Sequence, residues 1–212
     1  MPSVRLVLLS DTHSQHAQVA VPPGDVLIHA GDLTDHGEPR IVRDFNAWLG
    51  TLPHPHKLVI AGNHDFCFER EPAASAALLT NATYLCDSAV TVAGLRFYGS
   101  PWQPWFYDWA FNLHRGPAIR AKWDLIPTGV DVLITHGPPA GHGDLTLQGD
   151  RAGCEDLLAA LARVQPRLHV FGHIHEGYGR TQQGATICLN ASTCDANYQP
   201  VNPPLVLDLP VD

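Results

Sequence analysis

The sequence predicts an α/β protein in which mixed β-sheets and helices pack in layers, and three observations support this fold class. Five short apolar runs each end in a polar cluster, as strands do when functional residues follow their carboxyl ends. The runs do not alternate with polar residues, which is typical of strands that are buried on both faces. Segments with helical periodicity lie between several runs, and an alternating segment in the middle of the chain indicates a hairpin.

The predicted strands are distributed along the whole chain. The five runs and the clusters that follow them are VRLVLL with SDTH, DVLIHA with GDLTD, KLVIA with GNHD, VDVLIT with HGPP, and LHVF with GHIH. Residues 89–101 alternate in character and turn at Ala93 and Gly94, so this segment is predicted to be an antiparallel hairpin. The tail segments TICLNAS and PLVLDLP supply further strands.

Three segments have the apolar spacing of helices that bury one face. The stripes of the two longer helices, in segments 38–52 and 154–164, consist of Ile41, Val42, Phe45, Trp48 and Leu49, and of Leu157, Leu158, Leu161 and Val164. The third helix is shorter and is predicted over residues 118–126. Because no repeat, low-complexity tract or run of charge divides the chain, we expect a single domain over residues 1–212.

Composition excludes several classes of protein. The net charge of −8 argues against binding of nucleic acid duplexes, since such proteins normally carry a basic surface. The five cysteines are scattered and form no CxxC pair, which favours reduced thiols over a disulfide framework. The first apolar run is too short for a signal peptide, and no segment approaches the ~18 apolar residues of a membrane span. We therefore expect a cytoplasmic protein without a membrane partner, and the oligomeric state stays open.

The five polar clusters supply seven side chains that are suited to metal binding. These are Asp11, His13, Asp32, Asn63, His136, His173 and His175. Each alone has an ordinary explanation as a cap, a turn residue or a surface residue. Together they suit a pair of transition metals, because carboxylate and amide oxygens prefer hard cations, whereas imidazole suits zinc and iron and tolerates manganese. Seven ligands are too many for one ion, and no cysteine is among them, which argues against structural zinc.

The residues around Asn63 also suggest a catalytic step. Two ions that lie ~3.5–4 Å apart can clamp a phosphate and activate water for in-line attack. His64 follows Asn63 directly and is predicted to protonate the leaving group as a general acid. We expect Asp65 to orient His64, so that His64 and Asp65 form the predicted catalytic pair.

The ordered motifs DTH, GDLTD, GNHD, HGPP and GHIH resemble those of the calcineurin-like metallophosphoesterase family. They extend from Asp11 to His175, which is most of the chain. The resemblance implies a four-layer αββα sandwich with two mixed β-sheets and a metal site at the carboxyl ends of the strands. It also implies two divalent metal ions, with manganese expected and iron or zinc as alternatives.

The roles that this resemblance implies can be assigned to matching positions. The first ion would be held by Asp11, His13 and His175, the second by Asn63, His136 and His173, and Asp32 would bridge the two. A metal-bridging hydroxide would attack the phosphorus atom, and His64 would protonate the leaving group.

Two further blocks, SPWQPWFYDWAFN and LNASTCDANYQPVNPPLVLDLP, are similar to the metallophosphoesterase-domain-containing subgroup. Members of that subgroup are phosphodiesterases, with cyclic nucleotides among their substrates. The resemblance therefore favours a phosphodiesterase that acts on a small phosphoester, including nucleotides. A phosphomonoesterase, such as a nucleotidase or a protein phosphatase, is the alternative on the same site. A non-catalytic interaction module would need substituted ligands, and other binuclear hydrolases place their HxH pair early in the chain.

The Trp-rich segment 101–109 has two interpretations. It can form a stacking wall for a base or an aryl leaving group, with Trp105 or Trp102 exposed at the pocket. It can also be a hydrophobic plug that buries an insertion against the sheet. The predicted substrate contacts are Asn63, His64 and Trp105.

Other polar residues are ambiguous in the sequence. Asp35 either supports the loop of Asp32 or caps the segment that begins near Gly37, and His142 lies on a loop from which it could approach a substrate. His54 and His56 precede a strand, so we expect them at the sheet edge opposite the site.

Overall fold

The computed structural model describes residues 2–211, and strands and helices alternate along this range. The strands are β1 (Ser3–Leu9), β2 (Val26–His29), β3 (His56–Val59), β4 (Thr83–Tyr84), β5 (Ser88–Val92), β6 (Leu95–Ser100), β7 (Gln103–Pro104), β8 (Asn112–Leu113), β9 (Val132–Thr135), β10 (Leu168–Phe171), β11 (Gly179–Gln183), β12 (Thr186–Asn190) and β13 (Leu205–Pro210). The helices are α1 (Pro39–Thr51), α2 (Phe66–Arg70), α3 (Pro72–Ala76), α4 (Pro117–Trp123) and α5 (Glu155–Val164).

Two large sheets are formed, and each is parallel at its centre. The first has the order β13-β1-β2-β3-β4, in which only β13 is antiparallel to its neighbour. The second has the order β11-β12-β10-β9-β6-β5, with antiparallel strands at both edges. Strands β7 and β8 form a separate two-stranded ribbon. Both large sheets are therefore mixed, as the sequence predicts.

The apolar runs are buried on both faces because each sheet lies between two layers. Along β1, Leu6 and Leu8 face the second sheet and belong to the core between the sheets. Val7 and Leu9 point the other way, into a second core beneath α1. All four side chains are fully buried, which explains why the run does not alternate with polar residues.

Helices cover the outer face of each sheet and complete four layers. Val42, Phe45 and Leu49 of α1 pack on the outer face of the first sheet. Leu157 and Leu161 of α5 pack with residues of α4 on the outer face of the second sheet. The predicted αββα sandwich is thus confirmed, and the apolar stripes of α1 and α5 face the sheets as their periodicity indicates.

The hairpin forms at the predicted turn, whereas several short elements have no sequence signal. Ala93 and Gly94 both have positive φ angles, of 49° and 77°, as a tight two-residue hairpin turn requires. Strand β11 has the polar sequence GRTQQ, so no apolar run marks it. Helices α2 and α3 have only five residues each, too few to show a periodicity.

Strand direction determines which end of each sheet carries which polar residues. Strand β3 begins at His56, with His54 just before it, so both lie at the edge opposite Asn63, as predicted. Within residues 2–211 the structure contains no helix that is long and apolar enough to cross a membrane. The single domain over residues 1–212 stays a prediction, and Met1 and Asp212 lie outside the described residues.

Candidate metal centre

The five polar clusters lie together at one edge of the sandwich. They follow β1, β2 and β3 of the first sheet and β9 and β10 of the second, and the carboxyl ends of these parallel strands meet at the same edge. Within the described part of the chain, three groups of ligand atoms lie close enough to hold an ion. They are Asp11 with His13 and His175, His13 with Asp32 and His64, and Asp32 with His136 and His173.

The carboxylate of Asp32 lies at the centre of these groups. Its Oδ2 is 3.2 Å from Nε2 of His136, 3.8 Å from Nε2 of His13 and 4.0 Å from Nε2 of His64. Asn63 joins the same side, since its Oδ1 is 2.8 Å from Nε2 of His136. On the other side, Nε2 of His175 lies 3.5 Å from Oδ1 of Asp11 and 3.2 Å from Nε2 of His13.

These spacings fit divalent cations. Two ligand atoms that each lie about 2.1 Å from one ion are separated by about 3–3.4 Å, and the shortest distances at the centre are of this size. The Nε2 atoms of His13 and His175 face each other at 3.2 Å, a separation that two ligands of one cation can have. All seven predicted metal-binding residues are brought together, and their individual roles as ligands stay predictions.

Two glycines of the motifs allow the loops to approach the carboxylates. A Cβ atom at Gly172 would lie 2.0 Å from Oδ2 of Asp11, and one at Gly62 would lie 2.2 Å from Oδ1 of Asp32. Neither position could hold a side chain without displacing a carboxylate. The glycines in GNHD and GHIH are therefore required by close approach.

The backbone of the centre is strained at four of the predicted ligands. Asp11, His13, Asp32 and His173 have φ angles of 53°, 40°, 56° and 70°, in the left-handed region that side chains disfavour. Such conformations cost roughly 1–3 kcal/mol each and cluster at functional sites. The left-handed backbone at these positions directs the four side chains into one small volume.

Hydrogen bonds from neighbouring loops hold several of these side chains in place. Asp11 accepts bonds from the backbone N–H of His173, at 3.0 and 3.1 Å, and from the hydroxyl of Ser192, at 2.9 Å. Nδ1 of His136 donates to the carbonyl of Ala30, which leaves its Nε2 directed at the centre. The orientation of that ring is therefore fixed by the backbone.

The structure corrects the expected role of Asp65. Its carboxylate does not contact the ring of His64; it accepts hydrogen bonds from the backbone N–H groups of Leu33, Thr34 and Gly62. Asp65 therefore ties the GDLTD loop to the GNHD loop. The ring of His64 is oriented instead by the carbonyl of Asp35, which accepts a 2.8 Å bond from Nδ1.

The side chain of Asp35 also lies at the centre. Its carboxylate accepts a hydrogen bond from Ser14 and lies 3.6 Å from Nδ1 of His13. Helix α1 begins beyond it, at Pro39. Of the two interpretations of Asp35, support of the metal loops is therefore the one that its contacts favour.

A cleft of ≈ 270 Å³ opens above the centre. Asp32, Asn63, His64, His173 and His175 are among its lining residues. One wall is aromatic and is formed by Trp105, Phe106 and Trp109. The cleft thus combines a polar floor with an apolar wall, as sites for small ligands commonly do.

Trp105 and Trp102 differ in their surroundings. Trp105 is 51% exposed, lines the cleft and stacks on His114 with a centroid distance of 5.0 Å. Trp102 instead donates from Nε1 to Asp87 and packs under Lys122. The Trp-rich segment therefore serves partly as a wall and partly as a packed plug.

The family model of calcineurin-like phosphoesterases matches residues 4–177, which is most of the chain. The chain belongs to the calcineurin-like phosphoesterase family. Metallophosphoesterase domain-containing protein 1 of Homo sapiens is 54% identical in an alignment of 231 positions, which covers 97% of this chain and 71% of that protein. The predicted membership of this family and the likeness to metallophosphoesterase-domain-containing proteins are thereby confirmed.

Two more distant comparisons agree with this membership. A 3′,5′-cyclic-nucleotide phosphodiesterase of Nostoc is 22% identical over 186 residues, which cover 82% of this chain and 64% of that protein. The crystal structure of TT1561 of Thermus thermophilus has the same fold, with a TM-score of 0.58, 15% identity and 89% of each chain covered. The protein is a metallophosphoesterase, a metal-binding hydrolase of phosphoric esters.

Several residues that contact the centre of this metallophosphoesterase carry no motif signal. Asn190, the last residue of β12, donates to the carbonyl of Ile174 and so holds the GHIH loop. Trp109 packs on His64 with a centroid distance of 4.2 Å, and Tyr198 lines the cleft. His142, in contrast, bonds to Thr181 and Gln183 on β11 and lies outside the centre.

Two pairs of opposite charge lie at the centre, namely His136 with Asp32 and His175 with Asp11. Burial lowers the pKa of His136, but the charge of Asp32 and the hydrogen bond to it outweigh burial and raise the pKa to about 9. Burial likewise lowers the pKa of His175, and the hydrogen bond and charge of Asp11 raise it to about 9. Burial raises the pKa of both carboxylates, yet the neighbouring imidazoles hold these pKa values below their usual range. Without metal, His136 and His175 are therefore in the doubly protonated, positively charged form at neutral pH.

The raised pKa values predict a pH-dependent effect of metal on stability. A histidine whose pKa is raised in the folded state adds to the free energy of unfolding of the metal-free protein. For His136 and His175 this contribution is fully present below pH 6.5 and is lost as the pH rises through about 9. Metal binding needs neutral imidazole, so it competes with these protons and strengthens over the same range. The Tm of the metal-free protein should fall between pH 6.5 and 9, while the Tm increase caused by excess Mn²⁺ grows.

Thermal unfolding followed by circular dichroism, with and without Mn²⁺, measures both trends. The variant His142→Ala removes an imidazole outside the centre and should follow the wild-type profile. A Tm increase that is independent of pH would contradict protonation of His136 and His175 in the metal-free protein.

Proposed function

We propose that this protein is a phosphodiesterase that works with two divalent metal ions and accepts small phosphodiesters, with cyclic nucleotides among them. The observation that carries the proposal is the composition of the cleft beside the centre. Of the described residues that line it, Arg115 alone is a lysine or arginine, and its guanidinium is already bonded to Glu155 and to the carbonyl of Gly153.

Charge and shape both favour a diester. A phosphomonoester carries nearly two negative charges at neutral pH, because its second pKa is about 6, whereas a diester carries one. Apart from the proposed ions, the described residues that line the cleft include only one lysine or arginine, the already paired Arg115, to neutralise the second negative charge of a monoester. The aromatic wall of Trp105, Phe106 and Trp109 suits the second organic substituent that a diester has and a monoester lacks.

The wall also bears on which diester is used. An aromatic side chain that is half exposed beside a catalytic centre can stack on a flat base, which is worth ~1–3 kcal/mol per base. Trp105 is 51% exposed and is held in orientation by its stack on His114. The name of the Nostoc relative, a 3′,5′-cyclic-nucleotide phosphodiesterase, supports the same choice.

The proposed ligands follow the geometry of the centre. One ion would be held by Asp11, His13 and His175, the other by Asn63, His136 and His173, and Asp32 would contact both. When bound, two such ions supply Lewis-acid stabilisation of phosphoryl oxygens and an activated water as the nucleophile. Manganese is the proposed metal, and the set of imidazole and oxygen donors also suits iron and zinc.

His64 is proposed to deliver the proton to the leaving alkoxide. Its Nδ1 donates to the carbonyl of Asp35, which leaves Nε2 on the side of Asp32 and the cleft. Packing on Trp109 holds the ring in this orientation. Nε2 is therefore the atom from which His64 would transfer a proton to the leaving group.

The cytoplasmic location also remains a proposal. All five cysteines are free, and four of them are buried, which is compatible with a reducing compartment.

The preference for diesters can be measured with two matched substrates. The protein, stripped with chelator and reloaded with Mn²⁺, should have a higher kcat/KM for bis-p-nitrophenyl phosphate than for p-nitrophenyl phosphate. The leaving group is the same, so the ratio reports the phosphoryl substituents alone. Preference for the monoester would instead favour the phosphomonoesterase alternative, and the same assay after loading with Fe²⁺ or Zn²⁺ compares the metals.

Replacement of the central carboxylate should remove both ions. Asp32→Ala takes away the oxygen that lies between the two halves of the centre, so metal content should fall from two ions per chain toward none. Elemental analysis of the purified, metal-equilibrated protein measures this. Asp208→Ala, which removes an exposed carboxylate paired with Arg5, is the control and should retain two ions. Retention of two ions by Asp32→Ala would exclude a bridging role.

Loss of His64 should impair turnover without loss of metal. His64→Ala should keep two ions per chain but slow the hydrolysis of a cyclic nucleotide by ~10²–10⁴-fold, since an alkoxide leaves poorly without a proton. Bis-p-nitrophenyl phosphate, which releases a stable phenolate, should be affected less. His142→Ala is the control. A loss of one ion in His64→Ala would identify His64 as a ligand. Wild-type turnover of the cyclic nucleotide by His64→Ala would remove His64 from the mechanism.

A further inference from the structure

The segment 192–199, which we call the strap, crosses the centre on the side of Asp11, His13 and His175. It follows β12 and lies beyond residue 177, where the match to the family model ends. The strap is therefore a part of this site that the shared family motifs do not include.

The strap bonds to two of the proposed ligands. The hydroxyl of Ser192 donates to Oδ2 of Asp11 at 2.9 Å. The carbonyl of Asp195 accepts from Nδ1 of His175 at 2.8 Å, which leaves Nε2 of that ring directed at the centre. Both contacts fix side chains of the same half of the centre.

Tyr198 extends from the strap over the imidazoles. Its ring centroid lies 4.7 Å from that of His13, 5.2 Å from that of His175 and 6.2 Å from that of His64. The interplanar angles of 66–74° are those of edge-to-face contacts, which aromatic rings favour. One side chain thus contacts two proposed ligands and the proposed general acid.

The strap holds Tyr198 in this position by local hydrogen bonds. The carboxylate of Asp195 accepts bonds from the backbone N–H groups of Asn197 and Gln199. The side chain of Gln15 donates to the carbonyl of Tyr198 at 2.8 Å. Tyr198 has a φ of 57°, so the backbone adopts a disfavoured conformation that turns its side chain to the cleft.

His13 differs from His136, His175 and His64 in how its ring is held. Nδ1 donates to a backbone carbonyl in His136, in His175 and in His64. The ring of His13 is buried, yet within residues 2–211 its Nδ1 has no hydrogen-bond partner, since Asp35 is 3.6 Å away. Packing must therefore contribute to the orientation of this ring, alongside the nearby carboxylate of Asp35.

We propose that Tyr198 is a positioning residue for His13 and takes the place of the backbone carbonyl that orients His136, His175 and His64. The inference rests on the proposed metal centre, because His13 matters only if it binds an ion. Removal of hydrogen-bonding partners of metal ligands typically changes metal affinity by ~10–100-fold, and we expect the loss of the ring that packs on His13 to act on the same scale. The effect should be confined to the ion held by Asp11, His13 and His175.

Metal titration of the full chain tests this proposal. Calorimetric titration of the metal-free protein with Mn²⁺ should give two binding steps in the wild type. In Tyr198→Ala one step should weaken by ~10–100-fold and the other should stay unchanged. Tyr198→Phe, which keeps the ring, should restore the wild-type isotherm. Tyr107→Ala removes a tyrosine that is 71% exposed and should bind as the wild type does.

The possible outcomes separate this proposal from the proposed function. A wild-type protein that binds no divalent ion would overturn the metal centre itself. Two unchanged steps in Tyr198→Ala would overturn only the role of Tyr198, as would a Tyr198→Phe variant as weak as Tyr198→Ala. If metal-free Tyr198→Ala unfolds at a lower temperature than the wild type, Tyr198→Leu keeps the apolar bulk and should show the same selective loss. The visible spectrum of the Co²⁺-loaded variants reports the altered ligand geometry without any assay of turnover.

Discussion

The buried carboxylate of Asp32 is the constraint on which the rest of the site depends. A charge removed from water at the junction of two sheets costs several kcal/mol unless opposite charges surround it. Three imidazoles approach it within 4.0 Å, and they come from the first loop of the chain, the loop after β3 and the loop after β9. Gly62 is also needed, because any side chain at this position would displace the carboxylate.

Both sheets contribute side chains to each half of this arrangement. Parallel strands of both sheets end at the same edge, so loops that are distant in sequence become neighbours in space. Left-handed backbone at four predicted ligands turns their side chains inward, and Asp65 ties two of the loops together through backbone N–H groups. The cations that belong at such a centre would neutralise the same charges that make the metal-free fold sensitive to pH.

The sequence predicts the parts of this molecule that have strong periodicity or a dense motif. The layers, the stripes of α1 and α5, the hairpin at Ala93 and the seven converging side chains all follow from it. The role of Asp65 does not, because adjacency to His64 in sequence says nothing about which way a buried carboxylate points. Trp109 and Tyr198 are also missed, since single aromatic residues reach the centre through tertiary packing that no local pattern encodes.

The pairing of β1 with β13 has a consequence for how the protein acquires its activity. The strand that leads into Asp11 finds its outer neighbour in residues 205–210, so the first sheet is complete only when β13 has joined it. The same holds for the strap that covers His13. Contacts of such long sequence separation form slowly, because the loop that joins them must close first. We therefore expect the side of the centre at Asp11 and His13 to become ordered late in folding, once β13 and the strap have joined the loop that follows β1.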